Sequence, residues 1–241
     1  MRKKKANYGQ ELIPALWTLT IISAILITII IYLLESGSGM HAVIIILATL
    51  VLGFLSVVSM SIWSSRVGKL IMRNRMLDEL QLSGSEQVLD IGCGKGLLTI
   101  GIAKKLTTGK ICGLDHWQGT FEYNYTREMV EKNILIEGVA DHIEIVSGDA
   151  LHLPFNAEEF NLITSSLAMH HVGDGNTAFR EMIRVLKPGG LIAIADMPTS
   201  KIIKQMKEEG FEIILIKPLV RLFFIKVHLI IAKKKDKYDN I

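Results

Sequence analysis

A chain of 241 residues suits one or two domains, and its net charge of +3 averages two unlike parts. Up to residue 77 there are eight basic and two acidic residues, whereas the remainder holds 19 and 22. This mildly acidic second part argues against nucleic-acid binding, which needs a basic face, and cysteines at 93 and 112 match no disulfide framework or zinc spacing.

Residues 1–11 are a basic N-terminus opening on Arg2-Lys3-Lys4-Lys5. Residues 12–34 and 42–63 are nearly all apolar and uncharged, and each reaches the roughly 20 residues that cross a bilayer as a helix. A cleaved signal peptide has an apolar core of about 7–15 residues and no second span, so residues 12–63 predict a retained transmembrane hairpin. Basic residues at 2–5 and at Arg66, Lys69, Arg73 and Arg75 flank its two outer ends, while the connecting loop carries only Glu35. That bias places both termini in the cytoplasm, with the protein in the cell membrane. Trp17 and Trp63 suit interfacial anchors or plain apolar positions. Over 64–84, Arg66, Lys69 and Arg73 share one helical face beside Val67, Leu70, Ile71 and Leu77. This juxtamembrane segment either lies on anionic lipid or packs on the domain that follows.

From residue 85 the pattern alternates. Short apolar or β-branched runs at 87–91, 110–114, 142–147, 160–165, 191–196, 212–217 and 224–232 predict seven strands. Helical segments fall near 97–106, 119–137, 176–186 and 200–209, the third marked by a stripe of Phe179, Met182, Ile183 and Leu186. The alternation implies a doubly wound α/β domain over 85–234 whose mostly parallel sheet is covered on both faces. About six residues separate the last two strands, too few for a helical crossover, so the last strand should run antiparallel. Residues 235–241 read as a disordered, lysine-rich tail.

The first predicted strand leads into Val88-Leu89-Asp90-Ile91-Gly92-Cys93-Gly94-Lys95-Gly96, a glycine turn followed by a helix. Glycine lets the backbone take positive φ and lets a ligand approach the main chain. A dinucleotide fingerprint of the form Gly-x-Gly-x-x-Gly would need glycine at Leu97, and the sequence does not have it. The alternating glycines, with Asp90 before them, resemble instead the nucleotide loop of class I S-adenosylmethionine (SAM) dependent methyltransferases.

Downstream landmarks keep that family's order over roughly 85–234: Gly113-Leu114-Asp115, then Gly148-Asp149-Ala150 with Leu153-Pro154-Phe155, then Leu186-Lys187-Pro188-Gly189-Gly190. The resemblance implies SAM as cofactor, with Asp115 accepting from the ribose hydroxyls and Asp149, beside Ala150, from the adenine amino group. It adds Asp90, Gly92, Cys93, Gly94, Gly96, His116 and Ser165 to the cofactor site. His116 and Trp117 border the adenine, and the Pro188 motif is a structural stop. His170 and His171 follow the fourth strand, at the carboxyl edge where parallel sheets bind ligands, so either is a candidate general base or substrate contact.

The pattern is most similar to the ubiquinone, menaquinone and sterol type of small-molecule methyltransferase; the cysteines needed for arsenite methylation are missing. The expectation is a membrane-anchored enzyme that methylates a small lipophilic acceptor such as a quinone precursor, a lipid headgroup or an alkyl thiol. Its partners are then the bilayer and that substrate, with no metal and no nucleic acid. The rival is an inactive SAM-binding membrane module.

Overall fold

The computed structural model describes residues 5–8, 13–37, 39–117, 125–197 and 199–234. The start of the basic N-terminus, the first residues of the predicted helix at 119 and the C-terminal tail lie outside the described residues.

The chain forms two compact units, residues 9–69 and residues 1–8 with 70–241. In the smaller unit, helices α1 (Ile13–Glu35) and α2 (His41–Trp63) pack on each other, and both are long and apolar enough to cross a membrane. Their few hydroxyls bond back to carbonyls four residues earlier: Ser23 to Leu19 at 2.9 Å, Thr49 to Ile45 at 2.9 Å and Ser61 to Val57 at 2.7 Å. Helices in an apolar medium need that internal satisfaction. A π-helical stretch, Ser64–Gly68, carries α2 without a break into α3 (Lys69–Leu80).

The larger unit is a seven-stranded sheet in the order β3-β2-β1-β4-β5-β7-β6. The strands are β1 (Gln87–Ile91), β2 (Lys110–Asp115), β3 (Ile143–Ser147), β4 (Phe160–Ser166), β5 (Leu186–Asp196), β6 (Glu212–Leu222) and β7 (Ile225–Lys233). The first five run parallel, and β7 lies antiparallel between β5 and β6, as the short connection required. Successive residues of each strand serve opposite faces. Val88, Ile111, Leu162 and Ala193 join α3, α4 (Leu97–Ala103) and α5 (Arg127–Glu137) in one core. Leu89, Cys112, Ile163 and Ile192 join α6 (Gly175–Val185) and α7 (Thr199–Glu208) in the other. Helix α6 starts at Asp174, whose carboxylate accepts from the Thr177 N–H at 3.1 Å, and it buries Phe179 and Met182 as its stripe predicted.

Two expectations shift. The domain begins at Leu70 rather than at 85, because Met72, Met76 and Leu80 of α3 are buried in the first core. This helix therefore packs on its domain, through a face other than the one with Leu70 and Ile71. The sixth strand does not stop at Lys217 but continues through Pro218 to Leu222. Strand β6 is the sheet edge, where proline removes no needed donor, and the register shifts at that point.

Candidate functional site

Strand β1 sits between β2 and β4, whose connections lead to opposite faces of the sheet, so a crevice opens beyond the carboxyl ends of these strands. The glycine turn lines it. Gly92 takes φ 71° and donates to the Leu114 carbonyl at 2.8 Å, and a Cβ there would lie 2.3 Å from that of Ala168. Only glycine fits that position. Among the described residues a Cβ on Gly94 would meet just the Tyr125 ring, at 3.5 Å, so here the missing side chain keeps the backbone open to a ligand. Gly96, also left-handed, is the residue from which α4 starts.

Asp115 ends β2 and faces the turn. One carboxylate oxygen accepts from the Gly94 N–H at 2.8 Å and the other from the Trp117 N–H at 3.1 Å, with His116 Nδ1 3.7 Å away. The second-strand acid and the glycine turn thus form one unit. Asp149, after β3, accepts from the Leu151 N–H at 2.9 Å, and the preceding Gly148 donates to the Asp115 carbonyl at 3.0 Å. Asp115, Asp149 and Ala150 therefore follow the ends of neighbouring strands along one edge.

The third predicted acid sits deeper. Asp90 is buried, and its two oxygens accept from Thr99 at 2.6 Å and Thr164 at 2.9 Å. It ties β1 to α4 and β4 beneath the turn. Burial raises its pKa to about 6, against the two hydroxyl bonds that lower it. Cys93 is buried too, and burial first, then Asp90, pushes its thiol well up, so it packs rather than reacts.

Two buried polar atoms have no hydrogen-bond partner among the described residues: Ser165 Oγ, at the end of β4, and Trp117 Nε1, just past Asp115. They bracket the glycine turn, since Ser165 pairs in register with Ile91. Buried polar atoms normally find partners, so orphans at a crevice mark a place for a polar ligand.

Beyond β4, a turn at Met169–His171 carries the two histidines. His170 Nδ1 lies 2.6 Å from Asp196 Oδ1, and the His170 backbone N–H donates to Oδ2 at 3.1 Å. Asp196 ends β5, is 0% exposed and also accepts from the Met197 N–H at 2.7 Å. A carboxylate on Nδ1 fixes the tautomer with the proton there, leaving Nε2 as an acceptor. His171 stacks on His170 with ring centroids 3.9 Å apart but does not share its buried partner. His170 borders a cavity of about 220 Å³ whose walls include Met169, Val172, Phe179 and Ile202, with Lys201 and Gln205 as polar members. Asp196 was missed in the sequence, although it stands at a strand end as Asp115 does.

The sequence from 89 to 194 matches the family model described as a methyltransferase domain. The chain is 31% identical over 172 residues to the demethylmenaquinone methyltransferase of Staphylococcus aureus strain MRSA252, covering 70% of this chain and 64% of that one. It is 31% identical over 144 residues to the demethylmenaquinone methyltransferase of Lactobacillus johnsonii, covering 58% and 57%. The chain thus spans somewhat under two thirds of these curated relatives. Among solved structures, a SAM dependent methyltransferase from Aquifex aeolicus shares the fold with a TM-score of 0.58 at 16% identity, covering 68% of this chain and 90% of that one. The [4+2]-cyclase SpnF shares it with a TM-score of 0.59 at 16% identity, covering 68% and 81%.

The residues present fit SAM. Gly94 leaves main chain open, Asp115 and Asp149 offer acceptors along the same edge, and Ser165 and Trp117 hold unused polar atoms on either side. On its sequence match, its relatives and its sheet, the chain belongs to the class I SAM-dependent methyltransferases.

Proposed function

We propose that this protein is a membrane-anchored methyltransferase acting on a small lipophilic acceptor, and that the site residues hold the roles the resemblance implies. The observation that carries the reading is the His170–Asp196 pair, set beside a cavity walled in part by Met169, Val172, Phe179 and Ile202 at the carboxyl ends of β4 and β5. SAM, when bound, supplies a methyl group already activated by a positive sulfur. The protein is left to align the acceptor, which is worth roughly 7–11 kcal/mol in favourable cases. Gly94, Asp115 and Asp149 hold the cofactor, and the apolar walls at Met169, Val172 and Phe179 exclude water from the acceptor. Where the acceptor must lose a proton, His170 Nε2 takes it while Asp196 holds the ring and stabilises its positive charge. The names of the curated relatives support a quinone-type acceptor.

Anchoring rests on the two apolar helices and on connectivity. The chain leaves the larger unit after Tyr8 and re-enters it at Leu70, so it crosses the membrane an even number of times. With the basic residues on that same side, the catalytic unit is cytoplasmic.

Full-length protein should move label from methyl-labelled SAM into the lipid extract of its own membranes, and extracts made with and without the gene should differ by one methyl in a single compound. SAM binding with no label transferred in any extract would leave the inactive-module reading in its place.

A further inference from the structure

We propose that the tip of the β6–β7 hairpin is a second membrane contact, one that seats the catalytic unit on an anionic bilayer independently of the two apolar helices. The proposal rests on the reading that the protein works at a membrane. Leu222 pairs with Ile225, so Phe223 and Phe224 alone make the turn. Phe223 has φ 51°, in the left-handed region that such turns reserve for glycine or asparagine. Phe224 beyond it is 69% exposed and Ile225 48%. A strained turn built from exposed apolar side chains lowers stability in water, and such outliers collect where function needs them.

The charges behind the tip point the same way. Arg221 and Lys226 are direct cross-strand partners, both exposed, and among the described residues neither has an acidic partner. Like charges facing each other across a hairpin repel, and an anion held between them removes that cost. An apolar tip with two cations one step behind it suits a bilayer, whose anionic headgroups lie just above its acyl chains. A protein partner would need far more area than a two-residue turn presents.

Orientation supplies the third argument. Lys217 pairs with Glu79, and Arg75 donates to the Leu219 carbonyl, so running back along α3 is running towards the tip. Five residues of strand from Leu219 to Phe224 cover about 16 Å, whereas Arg75 back to Leu70 covers about 8 Å. The tip therefore reaches past the start of α3, at the end of the larger unit where the chain enters it at Leu70.

The test uses full-length protein in nanodiscs of phosphatidylcholine, alone or mixed equally with phosphatidylglycerol. Cys93 and Cys112 are buried, so a thiol spin label will go to Phe224→Cys, and separately to Ile225→Cys, Glu212→Cys and Ile29→Cys. In the anionic discs the labels at 224 and 225 should be reached by oxygen and shielded from a water-soluble nickel chelate, with the label at 212 open to the chelate. Replacing Arg221 and Lys226 by glutamine should shift the docked-to-free ratio of the tip by roughly 30-fold, since each basic residue near an anionic surface is worth about fivefold. Labels at 224 and 225 as open to nickel as the one at 212, while the label at 29 is lipid-shielded, would overturn this proposal and leave the anchor standing. A nickel-exposed label at 29 overturns both. Shielding that appears only with two proteins per disc assigns the tip to a second copy and overturns the bilayer contact.

Discussion

His170 and His171 are neighbours in sequence, and His170 has a buried carboxylate fixing its ring. His170→Ala should therefore lower kcat by roughly 10²-fold or more when the acceptor must be deprotonated, with His171→Ala far milder. Asp196→Asn offers an amide where Nδ1–H now donates, so it should lower kcat comparably while calorimetry finds SAM affinity unchanged. Asp90 makes a different prediction. Its pKa rises from an ordinary 3.8 to about 6 because it is buried, so between those values the folded protein holds a proton that the unfolded chain has released. Stability on this account falls as pH rises from about 4 to 6, by roughly 3 kcal/mol in all. Asp90→Asn should flatten that part of the stability profile in denaturant titrations run across the window. The glycines and acids of the site were legible because each is a local signal at a strand end. Asp90 looks like its fellow acids in sequence, and only its two threonine partners, one of them 74 residues away, reveal that it braces.

Helix α3 shows where periodicity is read with the wrong phase. Met72, Met76 and Leu80 recur every four residues and fill the core, but Leu70, Ile71 and Leu77 form a more conspicuous stripe beside them. Met76 is fully buried, so Met76→Ala should cost about 2–5 kcal/mol and lower the unfolding midpoint, whereas Asn74→Ala on the same helix should change little. A fragment beginning at Asp78 would lose Met72 and Met76 and expose the core face they cover. Strand β6 was legible only to Lys217, since Pro218 reads as a terminator wherever the sheet edge is unknown.

At the scale of the molecule, the mostly parallel sheet and its antiparallel last strand follow from alternation and from one short connection, and both are visible in the chain. Long-range pairings are not. Reporter fusions after Leu34 and after Ile241 should show opposite accessibility, the first external and the second cytoplasmic; equal accessibility would reject the hairpin. One long-range pairing joins the N-terminus to α5. Asn7 N–H donates to Asn133 Oδ1 at 3.0 Å, and Asn133 Nδ2 donates to the Asn7 carbonyl at 3.0 Å and to the Lys95 carbonyl, within the glycine turn, at 3.0 Å. Tyr8 adds a bond to Glu137 at 3.0 Å, and burial, followed by that bond, raises its phenol well above the ordinary value.

Asn133 is buried and serves the N-terminal segment and the cofactor turn with one amide. Binding at the turn and seating of the N-terminus are consequently linked, and linkage is reciprocal: any affinity that a seated Asn7 lends to SAM, SAM must return as a tighter hold on Asn7. Trypsin acting after Lys5 reports that hold directly. Saturating SAM should slow this cut in the full-length protein, and Asn133→Ala should abolish the protection while leaving the tryptic sites themselves intact. The stretch that precedes the first apolar helix would then register whether the active site is loaded.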